Sequence, residues 1–87
     1  MGDKTKILYA EDNATAAMIY SEILEEAGYS LTVAKDGNEA WHLYETAEWD
    51  ILLFDMDLPG KDGHELIRLV REKGDQVPIV ILSSVNH

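Results

Sequence analysis

The 87-residue sequence predicts an α/β domain built on a single parallel sheet. Two observations carry that prediction. Short apolar runs of β type alternate strictly with segments of helical period, and this alternation gives right-handed βαβ units. The junctions hold Asn, Asp, Gly and Pro, the residues that cap helices and close turns. About four strands and three helices are expected.

The first strand is Ile7 to Ala10. Asn13 can cap a helix from about Ala14 to Ala27, with Ala16, Ile19, Tyr20, Ile23, Leu24 and Ala27 read as its apolar face. Gly28 is placed to end that helix in a left-handed conformation. Tyr29 to Ala34 alternates apolar and polar residues, as a half-covered strand does. Asp36-Gly37-Asn38 reads as a turn and cap before a second helix, about Glu39 to Ala47, whose apolar side is Ala40, Trp41, Leu43 and Tyr44. Trp49 to Phe54 is the most apolar strand and is expected to be central. Asp57 to Gly63 is loop chemistry throughout. His64 to Lys73 forms a third helix with Leu66, Ile67 and Val70 inward, and after Gly74-Asp75-Gln76 a fourth strand runs from Val77 to Leu82.

Composition bounds the function. The length allows one domain. Hydrophobic residues at 46% are too many for a disordered chain. A formal net charge of −10 argues against direct nucleic-acid binding and against an anionic membrane surface, and favours metal ions or a basic patch on a partner. The absence of cysteine excludes disulfide and thiolate chemistry and fits a reducing cytoplasm, the expected location. No stretch approaches the roughly 18 apolar residues of a membrane span. Residues 1–6 read as a solvated leader, and residues 7–87 as the domain.

The strand ends carry the chemistry. Glu11-Asp12 follows the first apolar run, and Asp55 follows Ile51-Leu52-Leu53-Phe54. If the two runs are neighbouring parallel strands, these acids converge at the carboxyl edge of the sheet, where open α/β sheets bind ligands. Clustered carboxylate oxygens favour a hard cation such as Mg²⁺, and one acid is then free to act as a nucleophile. Taken singly, each acid also has a plainer reading: Glu11-Asp12 as an acid pair at a helix N-terminus, Asp55 as a cap. His42, His64 and His87 lack metal-ligand spacing and read as surface residues, and the side chains of Asp57 and Asp62 as solvated.

Four segments together resemble the receiver domain of two-component response regulators: Lys6-Ile7-Leu8-Tyr9-Ala10-Glu11-Asp12-Asn13; Gly28-Tyr29 with Val33-Ala34-Lys35-Asp36-Gly37-Asn38-Glu39-Ala40; Asp50 through Gly63; and Val77-Pro78-Ile79-Val80-Ile81-Leu82-Ser83-Ser84. They occur in family order and cover almost the whole chain. The resemblance implies a flavodoxin-like fold and a role for each position. Asp55 would accept phosphate from a histidine kinase or phosphotransfer protein. Asp12, Asp55 and the backbone carbonyl of Asp57 would hold Mg²⁺, with Glu11 orienting metal-bound water. Ser83 would be the switch hydroxyl that contacts the phosphoryl group, and an output domain or downstream target would read the change.

Two other readings stand beside it. Leu52-Leu53-Phe54-Asp55-Met56-Asp57 resembles the first motif of haloacid-dehalogenase-type phosphatases. Against this, Leu58-Pro59 replaces the small and hydroxyl residues usual there, and that motif normally ends the first strand. A receiver-like module that acts by dimerisation without phosphorylation is the third. A full receiver continues with a further helix, a fifth strand ending in lysine, and a closing helix, so the chain reads as a receiver lacking its C-terminal part. Its fourth strand is apolar on both faces and uncharged, and is expected to support self-association.

Overall fold

The computed structural model describes residues 3–82. Seven elements alternate along the chain: β1 (Lys6–Ala10), α1 (Ala14–Glu26), β2 (Ser30–Ala34), α2 (Gly37–Thr46), β3 (Ile51–Asp55), α3 (Gly63–Glu72) and β4 (Ile79–Leu82). The strands form one four-stranded parallel sheet in the order β2-β1-β3-β4. The expected fold class and the central place of the third strand are both observed, and β1 shares the centre.

Alternation along β1 divides the interior into two layers, because successive side chains leave a strand on opposite faces. Leu8 and Ala10 meet Ala40 and Tyr44 of α2 and Leu66 and Val70 of α3, with Leu52 and Phe54 of β3 between them. Ile7 and Tyr9 face the other way, toward Ala17 and Leu24 of α1 and Leu53 of β3. The α2/α3 layer is the thicker one.

Local chemistry explains the boundaries. Asn13 accepts from the Ala16 N–H and caps α1, as expected. Gly28, at φ +102°, closes it while the Tyr29 N–H reaches back to the Leu24 carbonyl. Asp36 caps α2 by accepting from the Glu39 N–H, and the Glu39 carboxylate returns to the Lys35 N–H, so α2 starts at Gly37, ahead of the expected Glu39. Asp62 is exposed but not idle: it caps α3 through the Glu65 N–H, and that helix starts at Gly63.

Strand limits also move: β2 starts at Ser30 and not Tyr29, β3 runs on to Asp55, and three further shifts have a visible cause. Lys6, assigned to the leader by sequence, belongs to β1, where its N–H donates to Asp50 Oδ2 at 2.8 Å and its partner is Ser30. Trp49 lies outside β3 because its indole N–H donates to the Leu43 carbonyl at the end of α2. Val77 is held in the preceding loop by the Asp75 carboxylate and Arg71, and Pro78 has no N–H, so β4 begins at Ile79.

The apolar face expected of α1 is rotated. Ala17 is buried and Leu24 packs inward, whereas Ile19, Tyr20 and Ile23 are exposed. Small Ala17 lets the helix lie close over Tyr9 and Leu53, and the bulkier flank turns outward.

Candidate functional site

Register brings the predicted acids together. Ala10 is paired with Phe54 across β1 and β3, so the residues that follow, Glu11 and Asp55, leave the sheet side by side. Glu11, Asp12 and Asp55 each offer an oxygen, and these atoms lie within 4.8 Å of one another, a donor set able to hold a metal ion. None of the ion pairs among the described residues involves any of the three.

Glu11 is the most buried of them, at 8% exposure, while Asp12 is open to solvent and Asp55 half-buried. Its backbone N–H donates to the Ala34 carbonyl of β2, and its carboxylate receives the Asn13 N–H at 3.2 Å and the Tyr9 hydroxyl at 3.4 Å. Burial raises its pKa above the ordinary 4.5, and a hydrogen bond shared with Asp55 and the charges of Asp55 and Asp12 raise it further, against the Asn13 N–H that lowers it. Burial and the adjacent Glu11 likewise push the Tyr9 hydroxyl upward. Burial and the neighbouring negative charges thus disfavour the ionised form of Glu11, a cost that a cation held beside it would offset.

The loop after β3 completes the edge. The Asp57 N–H donates to Asp55 Oδ1 at 3.2 Å, the Met56 N–H donates to the Leu82 carbonyl, and the Gly63 N–H to the Met56 carbonyl. A cleft of about 510 Å³ opens over the acids, lined among others by Asp12, Asp55, Asp57, Tyr20 and Leu82. Lys61 and Lys73 are engaged elsewhere, with Asn38 and with Glu45. The predicted switch hydroxyl, Ser83, lies outside the described residues. His42 and His64 are exposed, as the sequence indicates, and Trp41, Tyr44 and Trp49 pack on the α2 side.

Two neighbours escaped sequence reasoning. Tyr9 reads as plain strand core, yet its hydroxyl reaches Glu11; the period of two, which sets residues 9 and 11 on one face, was the available signal. Tyr20 reads as core and instead lines the cleft.

Comparison with known proteins agrees with this geometry. The family described as "Response regulator receiver domain" matches residues 7–87. The probable transcriptional regulatory protein SilR of Salmonella typhimurium is 35% identical over 80 residues, covering 92% of this chain and 35% of that protein. The chain thus spans about a third of that relative's length. The receiver domain of the Francisella response regulator 1452 superposes with a TM-score of 0.91 at 33% identity, covering 97% of this chain and 69% of that one. The response regulator TrrA of Thermotoga maritima, solved in complex with Mg²⁺-BeF, gives 0.89 at 28% identity, covering 95% and 72%. These similarities favour the receiver reading over the phosphatase-like one.

Proposed function

Since the chain belongs to the response regulator receiver family, we propose that Asp55 is its phosphoacceptor and that Asp12, Asp55 and the Asp57 carbonyl hold Mg²⁺, with Glu11 orienting metal-bound water. The observation that carries the reading is the convergence of Glu11, Asp12 and Asp55 within 4.8 Å at the carboxyl edge of the sheet.

Phosphoryl transfer needs positioning and neutralised charge more than covalent help from the protein. Asp55 is the nucleophile. One carboxylate oxygen attacks phosphorus, the bond to the imidazole nitrogen of a phosphohistidine breaks, and that nitrogen leaves with the electron pair. Bound Mg²⁺ supplies the charge that lets a carboxylate approach phosphoryl oxygens. The Asp57 N–H, already bonded to Asp55 Oδ1, steadies the nucleophile, and Asp55 lines the cleft. Glu11, anchored by Asn13, Tyr9 and the Ala34 carbonyl, has little freedom to swing away.

The partners follow from the same reading: a histidine kinase or phosphotransfer protein as donor, an output domain or downstream target as reader, and a cytoplasmic setting for the exchange. Among the described residues no helix is long and apolar enough to cross a membrane. Self-association belongs to the proposal as well. β4 pairs only with β3 among the described strands, Val80 is 49% exposed, and Tyr20 and Ile23 of α1 add exposed apolar surface. Sedimentation equilibrium tests it: a monomer across the micromolar range removes self-association from the reading.

For the phosphoacceptor, incubation with acetyl phosphate and Mg²⁺ is expected to give hydroxylamine-labile phosphate on the peptide containing Asp55. Asp55→Asn abolishes it with the fold intact. Labelling that survives Asp55→Asn moves the nucleophile, with Asp57 the first candidate; labelling lost in Asp57→Ala with Asp55 intact favours the phosphatase-like chemistry.

A further inference from the structure

The loop that follows Asp55 is held from outside the site. Its two ends are tied together by the Gly63 N–H, which donates to the Met56 carbonyl, and the Met56 N–H donates in turn to the Leu82 carbonyl. In its middle it is clasped by the first turn of α2, an element that contributes none of the acids. The Gly37 N–H donates to the Pro59 carbonyl at 2.9 Å, and Lys61 Nζ donates to Asn38 Oδ1 at 2.9 Å. The two segments approach so closely that each side of the clasp contains a glycine. A Cβ on Gly37 would overlap the Lys61 carbonyl oxygen and stand 2.6 Å from the Lys61 nitrogen, all of it backbone that cannot rotate away. A Cβ on Gly60, which is at φ +81°, would stand 2.7 Å from Asn38 Nδ2.

We propose that Gly37 is a positioning residue of the acidic site: by admitting the Lys61 backbone against α2, it sets the course of the loop that carries Asp57 past Asp12 and Asp55. Gly37 is buried, and its own backbone is ordinary helix. Its lack of a side chain is therefore explained by this contact and by no conformational need. The inference rests on the Mg²⁺ reading for its consequence, though not for the clasp itself. A loop displaced by even an ångström would carry the Asp57 carbonyl out of reach of a cation held by Asp12 and Asp55, whose own strands stay in place.

Gly74 supplies the control. It stands at φ +79° with nothing within 4 Å of a Cβ, so Gly74→Ala strains the backbone far from the site and lowers stability without touching the loop. Amide spectra and Mg²⁺ titrations are compared for the wild type, Gly37→Ala and Gly74→Ala. Gly37→Ala is expected to shift the amides of Asp57 to Lys61 in the metal-free protein and to weaken Mg²⁺ about tenfold, the lower range seen when support of a metal ligand is removed. Gly74→Ala keeps wild-type affinity. Unchanged amides and affinity in Gly37→Ala, or an equal loss of affinity in Gly74→Ala, overturns the proposal. If Gly37→Ala does not fold, Asn38→Ala decides: it removes the clasp's side-chain hydrogen bond to Lys61 and is expected to weaken Mg²⁺ severalfold, and wild-type affinity there overturns the proposal too. If the wild type itself shows no response to Mg²⁺, the metal reading fails, and the metal-free amide shifts alone decide whether the clasp positions the loop.

Discussion

At the carboxyl end of β1 and β3, three acids lie within 4.8 Å of one another, and none of them takes part in an ion pair among the described residues. At the opposite end of the sheet the acids are satisfied. Asp50 accepts from the Lys6 backbone N–H; Asp75 accepts from the Tyr44 hydroxyl and the Val77 N–H. Around Asp75, Arg71 donates to the Asp75 and Val77 carbonyls, Trp41 stacks on Tyr44 at 5.1 Å, and Lys73 Nζ sits 5.6–5.7 Å from both rings. The same residue type meets opposite surroundings, and the pKa directions follow. Glu11 is raised, chiefly by burial, whereas Asp75 is lowered, chiefly by the Tyr44 hydroxyl. One end contributes stability; the other gives some up by crowding like charges, which the proposed cation would relieve.

Removing the aromatic from the satisfied end should have the largest effect. Tyr44 is buried, bridges α2 to the loop before β4, and belongs to the thicker layer. Tyr44→Ala is expected to lower unfolding free energy by about 3–5 kcal/mol, the range for large aromatics in cores. Tyr44→Phe, which deletes only the hydroxyl, should cost far less. Denaturant unfolding checks both, and a Tyr44→Ala variant as stable as the wild type would dissolve the contrast between the two ends.

At the crowded end the sign reverses. Asp55→Asn removes one of three mutually repelling charges at nearly constant volume, and should raise the stability of the metal-free protein by about 1 kcal/mol. Mg²⁺ at ten times its dissociation constant should stabilise the wild type by about 1.4 kcal/mol, as mass action requires, and the variant by much less. Thermal unfolding with and without Mg²⁺ reads both numbers. Destabilisation by Asp55→Asn in the absence of metal would mean that the acids are held by contacts not visible in this geometry.

Much of this was legible in the sequence, for identifiable reasons. Strand order and site depend on apolar runs that end in Glu11-Asp12 and Asp55, and a parallel pairing of two such runs leaves little choice about where the acids go. Caps at Asn13 and Gly28 are local chemistry and were readable too. The orientation of α1 was not, because Ala16 to Ala27 offers apolar residues around more than half of its circumference, and the choice of Ala17 over Ile19 and Ile23 depends on the close approach of Tyr9 and Leu53. Nor could sequence show that Gly37 touches Lys61, a contact between segments distant in the chain that leaves no periodic trace.

The smallest expected effect is the pH dependence that separates the two ends. Glu11 has a folded pKa above its unfolded value, so its contribution is fully present below about pH 4.5 and is lost as pH rises through the folded value. Asp75 has a folded pKa below its unfolded value, so its contribution is present above about pH 3.8 and is lost as pH falls through the folded value. The metal-free protein should therefore lose stability on the acid side through Asp75 and, separately, on moving from mildly acid to neutral pH through Glu11. Glu11→Gln, or saturating Mg²⁺, should flatten the second slope and leave the first in place, while Tyr44→Phe should weaken the first and leave the second. Melting temperatures measured from about pH 2 to 8 span both slopes and test the assignment. A second slope that persists in Glu11→Gln would place the crowding on another group.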